Sequence, residues 1–125
     1  MNSVSNKSYS DSTQTIKAYH TAFEHGHWDT ALLHLKKMQK SNLFYTSYLE
    51  YEKTLYIKLG RFQDALKISY ESIKKPTPQN YELHFHLLKK VGEDKEAEIF
   101  YKVANQLFEN VILEKYLKSP KKDLD

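Results

Sequence analysis

The 125-residue chain is 40% hydrophobic and 28% charged, a composition that suits one water-soluble domain and leaves little chain for a second. Its net charge of +3 comes from 18 lysines and one arginine against 16 acids, dispersed along the chain, so we expect no nucleic-acid partner. Without cysteine it has no disulfide, thiolate metal site or thiol nucleophile. No apolar run is long enough for a membrane span and the first residues are too polar for a signal peptide, so we expect a cytoplasmic protein.

Six helices are predicted along the chain. Residues 1–12 are rich in Ser, Asn and Asp and lack apolar periodicity, which predicts a disordered leader. Thr77 and Pro78 are predicted to cap and begin the fifth helix. Apolar residues at helical spacing predict helices over 13–25, 29–41, 44–59, 63–75, 80–91 and 95–117, followed by a flexible tail over 118–125.

The three glycines mark a repeating pattern. Gly26, Gly60 and Gly92 are separated by 34 and 32 residues, and each is followed five residues later by an alanine. This is the period of a repeat made of two helices. Each glycine is predicted to end one helix in a left-handed turn, and each alanine to let the next helix pack closely. The structural repeat positions are Gly26, Trp28, Ala31, Gly60, Phe62, Ala65, Gly92 and Ala97.

The second of these patterns resembles a tetratricopeptide (TPR) repeat. It runs from Tyr56 through Gly60, Phe62 and Ala65 to Pro76, and so holds the family's glycine, aromatic residue, alanine and closing proline in register. The resemblance implies an all-α fold, an α-α superhelix or TPR-like solenoid of three helical hairpins. It places the repeats at about 12–45, 46–79 and 78–111, within one domain over 13–117.

Several positions depart from the family pattern. The small residue that is usual on the first helix of a repeat is replaced by Tyr19, Lys53 and Phe85. In the third repeat, Asp94 stands where the aromatic residue follows the turn. The chain is therefore similar to a diverged TPR protein with helix spacings of its own.

The last predicted helix is longer than the others. No glycine or proline interrupts residues 97–117, so this helix is expected to extend into the place of the separate capping helix that other TPR arrays have. Two roles are open for it. It covers the end of the array, or its apolar stripe pairs with another chain, in which case a homodimer would form through residues 107–117.

In the TPR family, the first helix of each repeat lines a concave groove that binds a partner. The lysine and asparagine of the family's carboxylate clamp are replaced here by Ile16, His20 and Thr54, so we do not expect that subclass. Tyr51 lies between the predicted faces of its helix, and both a core role and a role as an exposed anchor are open for it. The groove positions implied by the resemblance are Ile16, His20, Phe23, Glu24, Glu50, Thr54, Ile57, Lys58, Glu82, His86, Lys89 and Lys90.

Six histidines raise the question of a metal site. Within the pairs His25/His27 and His84/His86 the residues are two apart, so they would not share a helix face, and neither pair has a carboxylate or cysteine at ligand spacing. We expect no metal and no cofactor, and we expect His84 to pack partly buried. No catalytic motif is present, and with every glycine in a helix turn none is left for a phosphate-binding loop, so we do not expect an enzyme.

The sequence therefore predicts a protein-protein interaction module. A groove that mixes apolar anchors with charges of both signs suits an extended or helical peptide of another protein. Small adaptors and secretion-type chaperones of the TPR family have such grooves. The alternative is a self-associating structural or regulatory subunit that uses the last helix.

Overall fold

Helices account for the fold. The computed structural model describes residues 3–38 and 45–118, with side chains over 13–38 and 47–118. This part of the chain contains no strand, so the predicted all-α class is confirmed for it. Its elements are α1 (Ser3–Glu24), α2 (Trp28–Lys37), α3 (Tyr45–Lys58), α4 (Phe62–Ser72), α5 (Pro78–Lys90), α6 (Asp94–Phe108) and a 3-10 helix (Glu114–Lys118).

The chain divides into two compact units, residues 1–59 and residues 60–125. The first unit contains α1 to α3 and the second contains α4 to α6 and the 3-10 helix. The boundary falls inside the predicted second repeat, 46–79. The superhelical TPR-like arrangement and the single domain over 13–117 therefore remain predictions. None of the helices described has the length and apolar character to cross a membrane.

The first helix begins earlier than the sequence predicts. We expected a disordered leader up to residue 12, but α1 begins at Ser3. Residues 3–12 contain no glycine or proline, and adding residues to a helix that has already nucleated costs little. The lack of apolar periodicity in this segment therefore did not prevent it from being helical.

The three predicted glycine turns share one backbone geometry. The φ angles of Gly26, Gly60 and Gly92 are +72°, +74° and +88°. These values lie in the left-handed region, where a side chain would bring Cβ too close to the following carbonyl. The residue after each glycine then has φ of −86°, −92° and −85° in turn and leads into the next helix.

Backbone hydrogen bonds fix the first and third of these turns. His27 N donates to Ala22 O at 2.8 Å, and Glu93 N donates to Leu88 O at 2.9 Å. A bond that spans five residues around a left-handed glycine is the Schellman ending of a helix, and it satisfies carbonyls that the helix end would leave without a partner. The same glycine-centred helix ending therefore forms twice, once in each unit.

The alanines that follow the turns are fully buried. Ala31, Ala65 and Ala97 each have an exposed fraction of 0%. A methyl side chain at this position leaves room for close packing within each unit, of α2 on α1 in the first and of α4 and α6 on α5 in the second. The alanine N–H groups donate to the carbonyls of His27, Arg61 and Glu93 at 2.9, 3.1 and 2.9 Å.

The positions where the TPR family has a small residue bury large side chains instead. Tyr19, Lys53 and Phe85 are 3%, 2% and 0% exposed. The Lys53 Nζ lies 3.1 Å from the Glu50 carboxylate, so the buried cation has a counter-charge on its own helix. These three positions are therefore buried, and they are filled by two aromatic side chains and a lysine.

A buried histidine organises the core of the second unit. The His84 Nδ1 lies 2.8 Å from the Ser69 Oγ, and the His84 ring contacts the rings of Tyr70 and Phe100 at 4.6 and 4.7 Å between centroids. With 1% of its surface exposed, His84 is buried more completely than the partial burial predicted. The other core side chains of this unit include Ala65, Leu66, Phe85, Leu87, Leu88, Ala97, Ala104 and Ile112.

The junction between α4 and α5 has the predicted cap. Asn80 N donates to Thr77 Oγ1 at 3.1 Å, and Pro78 is the first residue of α5, where its missing N–H is not needed. The Asn80 side chain also donates to the carbonyls of Ser72 and Lys75 at 2.9 and 3.0 Å. Asn80 thus connects the C-terminal end of α4 to the first turn of α5 by hydrogen bonds.

The prediction of a last helix over 95–117 is wrong. The sixth helix ends at Phe108, and Glu109 and Asn110 take left-handed φ angles of 49° and 59° that turn the chain back. We call residues 109–118 the C-terminal segment. It contains the 3-10 helix, which includes Lys118, whereas the rest of the predicted flexible tail lies outside the described residues, as do residues 39–41 of the predicted second helix.

Asn105 holds the C-terminal segment against α6. Its Nδ2 donates to Ile112 O and its Oδ1 accepts from Ile112 N, both at 3.0 Å. Ile112 is 1% exposed. Burial of this side chain, together with two hydrogen bonds to its backbone, offsets the loss of the hydrogen bonds that a continuous helix would have made.

Replacement of Gly60 tests the cost of the left-handed turn. A Cβ at Gly60 would meet no described atom within 4 Å, so an alanine would cost only the conformational energy of φ +74°. We expect Gly60→Ala to lower the free energy of unfolding by about 1–2 kcal/mol in urea titrations. Gly60→Asn is the matched control and should lose less, because asparagine tolerates this region. Equal losses for both variants would show that the turn does not depend on φ.

Removal of the Asn105 side chain tests the C-terminal turn. Asn105→Ala leaves the N–H and carbonyl of Ile112 without these partners, so we expect a loss of about 1–3 kcal/mol in the free energy of unfolding. Amide hydrogen exchange at Ile112 should accelerate in parallel. The neighbouring exposed Gln106 provides the control, since Gln106→Ala should change stability by less than about 0.5 kcal/mol.

Candidate protein-binding surface

The predicted groove positions of the first two repeats all lie on α1 and α3, in the first unit. Ile16 is 40% exposed, so at least one large apolar side chain on this surface is accessible to a partner. The polar members are mostly exposed and the other apolar members half-buried. Exposed are Ile16, His20, Glu24, Glu50 and Lys58, and half-buried are Phe23, Thr54 and Ile57.

A chain of four aromatic rings joins the three helices of the first unit. Tyr51 on α3 lies 5.7 Å from Tyr19 on α1, Tyr19 lies 5.9 Å from Phe23, and Phe23 lies 5.2 Å from Trp28 on α2. These centroid distances are in the range where aromatic pairs attract each other. The Lys58 Nζ, again from α3, lies 5.6 Å from the centre of the Trp28 ring. We call Tyr51, Tyr19, Phe23 and Trp28 the aromatic chain.

The aromatic chain is buried in the middle and open at the Tyr51 end. Tyr19 is 3% exposed, whereas Tyr51 is 47% exposed even though its ring contacts Tyr19. Tyr51 is thus packed against a core residue and exposed at the same time, and its role as an anchor stays a prediction. Ile16 precedes Tyr19 by three residues, so it lies on the same side of α1. We call the exposed pair beside Tyr19 the Ile16/Tyr51 surface.

Polar groups lie on the same two helices as the Ile16/Tyr51 surface. The His20 ring lies 5.2 Å from the Tyr19 ring, edge to face. On α3, the Thr54 Oγ1 donates to Glu50 O at 3.0 Å. Glu24 and Lys58 are exposed at the ends of their helices and carry opposite charges. The exposed residues of α1 and α3 therefore include apolar groups and charges of both signs.

At the opposite end of the aromatic chain, the Trp28 ring borders an open depression of about 320 Å³. The half-buried indole is therefore accessible from outside on this side of the first unit. The depression is lined by Gly26, His27, Trp28, Asp29, Thr30 and Leu59.

The predicted groove positions of the third repeat lie on α5, in the second unit, and each has a partner inside that unit. The Glu82 carboxylate lies 3.9 Å from the His86 Nε2, and the Lys90 Nζ lies 5.2 Å from the centre of the Phe62 ring. The Lys89 Nζ lies 3.5 Å from the Asp94 carboxylate.

Two of these positions are covered by the C-terminal segment. The His86 ring contacts the Tyr116 ring at 5.2 Å, edge to face, and the Lys89 Nζ donates to Leu117 O at 2.6 Å. The sequence did not indicate Tyr116 or Leu117 as neighbours of α5, because it predicted one continuous last helix. The left-handed residues that reverse the chain are Glu109 and Asn110, and only the asparagine, which tolerates this region, could have indicated a turn.

The two histidines of the first turn interact with each other and with the backbone. The His25 Nδ1 lies 2.7 Å from Thr21 O, and the rings of His25 and His27 stack at 5.9 Å. In the described residues, no group of three or more His, Asp or Glu side chains is arranged to hold a metal ion. The two histidine rings therefore contact each other and the C-terminal end of α1.

Comparison with protein-family models, with curated proteins and with solved structures finds no match to this chain.

In the described part of the first unit, Tyr19 has the pKa that is shifted most. Burial raises the pKa of Tyr19 to about 12, and the neighbouring Tyr51 adds to the rise. The folded protein therefore keeps this proton at pH values where the unfolded chain, with a pKa of 10.0, has already lost it. The contribution to stability is complete below pH 10 and is lost as the pH rises toward 12.

Tyr19→Phe tests this linkage. Phenylalanine keeps the ring contacts but cannot ionise, so the free energy of unfolding should fall less steeply for the variant than for the wild type between pH 10 and 12. Between about pH 7 and about pH 9 the two curves should run parallel. Urea titrations at fixed pH give the comparison, and curves that stay parallel through pH 12 would contradict the assignment.

Proposed function

We propose that this protein is a protein-protein interaction module and that the Ile16/Tyr51 surface of the first unit binds a peptide or helix of a partner. The observation that carries the proposal is the aromatic chain, in which the ring of Tyr51 is exposed while that of Tyr19 is buried. Tyr19 forms a buried base, and two large side chains beside it, 40% and 47% exposed, are left for a partner to cover. Aromatic and apolar side chains that are held rigidly and only partly buried are the usual anchors of protein interfaces.

Rigid support adds to the case for this surface. The aromatic chain links α1, α2 and α3 through ring contacts, so Tyr51 lies on a packed base and should lose little conformational freedom when it is covered. A site that is already ordered binds more tightly for the same buried area. The flanking charges of both signs, at Glu24 and Lys58, favour one orientation of a bound segment over the reverse.

The partner that fits is a short segment with one or two apolar anchors. A helical partner would present them at i and i+3 or i+4, whereas an extended partner would present alternate residues. A role as an adaptor or as a small chaperone, as the TPR resemblance implies, would use this surface in the same way. Both roles are consistent with the sequence prediction that the chain is not an enzyme.

A peptide-display library is the probe that tests the proposal, because it offers the surface many peptide sequences at once. We expect the chain to enrich peptides with spaced apolar residues. Ile16→Asp and Tyr51→Ala should each weaken the binding of the enriched peptides about tenfold, which corresponds to roughly 1.4 kcal/mol. Fluorescence polarisation with labelled peptides measures the change.

Leu33 provides the matched control. It lies on α2 of the same unit, is 58% exposed and belongs to neither the aromatic chain nor the predicted groove. Leu33→Asp should leave peptide affinity unchanged, and circular dichroism confirms that all three variants stay folded. The proposal fails if no peptide is enriched, or if enriched peptides bind the Ile16 and Tyr51 variants as tightly as the wild type.

The self-associating subunit predicted as the alternative retains one specific observation in its favour. On α6 of the second unit, Ile99, Val103 and Leu107 are 66%, 43% and 57% exposed and follow one another at intervals of four residues. They form one apolar stripe, which we call the α6 stripe. Because α6 ends at Phe108, residues 107–117 do not form a single helical contact surface in this structure. Self-association would use α6 and the C-terminal segment as separate elements.

A further inference from the structure

The C-terminal segment fills a specific socket on the second unit. Its Ile112 side chain is buried, its Ile112 backbone is bonded twice by Asn105 of α6, and two of its residues contact α5. The α5 contacts are the Tyr116 ring on His86 and the Leu117 carbonyl on Lys89. The socket therefore recognises this segment by shape, by backbone hydrogen bonds and by an aromatic contact.

The connection between α6 and the C-terminal segment is strained. Glu109 and Asn110 both have left-handed φ angles, 49° and 59°, and glutamate in particular avoids this region. The surrounding sequence favours a continuous helix, because residues 93–119 contain no glycine or proline. Local preference and observed fold thus disagree at two adjacent residues, and we call Glu109 and Asn110 the hinge.

We propose that the socket also accepts the C-terminal segment of a second copy of this chain, so that two copies exchange their segments and form a dimer. In the exchanged form the hinge leaves the left-handed region and α6 continues, which carries residues 112–118 away from their own socket. The inference does not depend on the proposed function, since it concerns the second unit and a different partner.

A second copy is the occupant that the structure favours. Every contact that the segment makes within one chain is equally available between two chains, so complementarity is complete. The exchange also relieves the strain at both hinges. These gains must offset the translational and rotational entropy that two molecules lose when they form a dimer.

The α6 stripe supplies a contact that only the dimer can make. Ile99, Val103 and Leu107 lie on the helix that leads into the hinge and are mostly exposed in the closed chain. A dimer in which the two stripes face each other would cover both of them. Burial of this apolar surface would favour the dimer over two closed chains.

Substitutions at the hinge test the exchange, because closed and exchanged forms share the socket contacts and differ at the hinge. Glu109→Gly with Asn110→Gly removes the strain from the closed form and should weaken dimerisation. Glu109→Ala with Asn110→Ala penalises the left-handed turn and favours helix, so it should strengthen dimerisation. We expect the two dissociation constants to differ by at least about tenfold in sedimentation experiments across the micromolar range.

Cross-linking distinguishes exchange from side-by-side association through the α6 stripe. The chain has no cysteine, so one copy carries His86→Cys and another carries Tyr116→Cys, both in the alanine-hinge background. Only an exchanged dimer brings these positions together between copies. A short bis-maleimide reagent should yield a covalent heterodimer from the mixture, and the same pair in the glycine-hinge background should yield much less.

The proposal is overturned if all hinge variants and the wild type stay monomeric at every concentration, or if the glycine and alanine hinges dimerise equally. It is also overturned if a dimer forms without the cross-link and is abolished by Val103→Glu, which would assign it to the α6 stripe alone. Should the alanine hinge fail to fold by circular dichroism, the comparison of the glycine hinge with the wild type gives the same decision.

Discussion

The left-handed glycine turn is the constraint on which the helical hairpins depend. At Gly26, Gly60 and Gly92 the backbone takes a conformation that other residues avoid, and the next helix then starts with nearly the same dihedral angles each time. An alanine one turn into that helix is completely buried. For α1 and α2 in the first unit, and for α5 and α6 in the second, turn and alanine act together, because the turn sets the direction of the second helix and the methyl group allows it to approach. Neither would give a packed hairpin without the other.

The two units share this turn but differ in the side chains that form their cores. The first relies on aromatic rings in sequence from α3 to α1 to α2 and on one buried lysine with its counter-ion. The second has a buried histidine at its centre, which is hydrogen-bonded to Ser69 and contacts the rings of Tyr70 and Phe100. This difference bears on function. A core built from rings that reach the surface leaves Tyr51 both supported and exposed, whereas the α5 positions of the second unit are engaged by its own C-terminal segment.

Much of the fold follows from the sequence where local signals and packing agree. The glycine spacing located three turns, and the Thr77-Pro78 pair located the start of α5, because each of these residues has a direct backbone role. The prediction went wrong at Glu109 and Asn110, where burial of Ile112 overrides the helical preference of the chain, and at residues 3–12, where polar residues are helical without an apolar face. For the site, the register assigned the α1 and α3 positions to two different repeats, whereas the structure places both helices in the first unit. The register could not show that Tyr19 connects them, since a ring contact between helices has no signature in spacing.

The buried lysine of α3 has a consequence for observing the molecule. Lys53 is 2% exposed, while most lysines described in the chain lie at or near the surface. A reagent that acylates amines would reach the Lys53 nitrogen only after α3 had separated from its neighbours. Its modification, read by mass spectrometry against that of Lys67 in the second unit, would therefore report the opening of the first unit by itself. The rate at which Lys53 is acylated would thus measure how often the first unit opens.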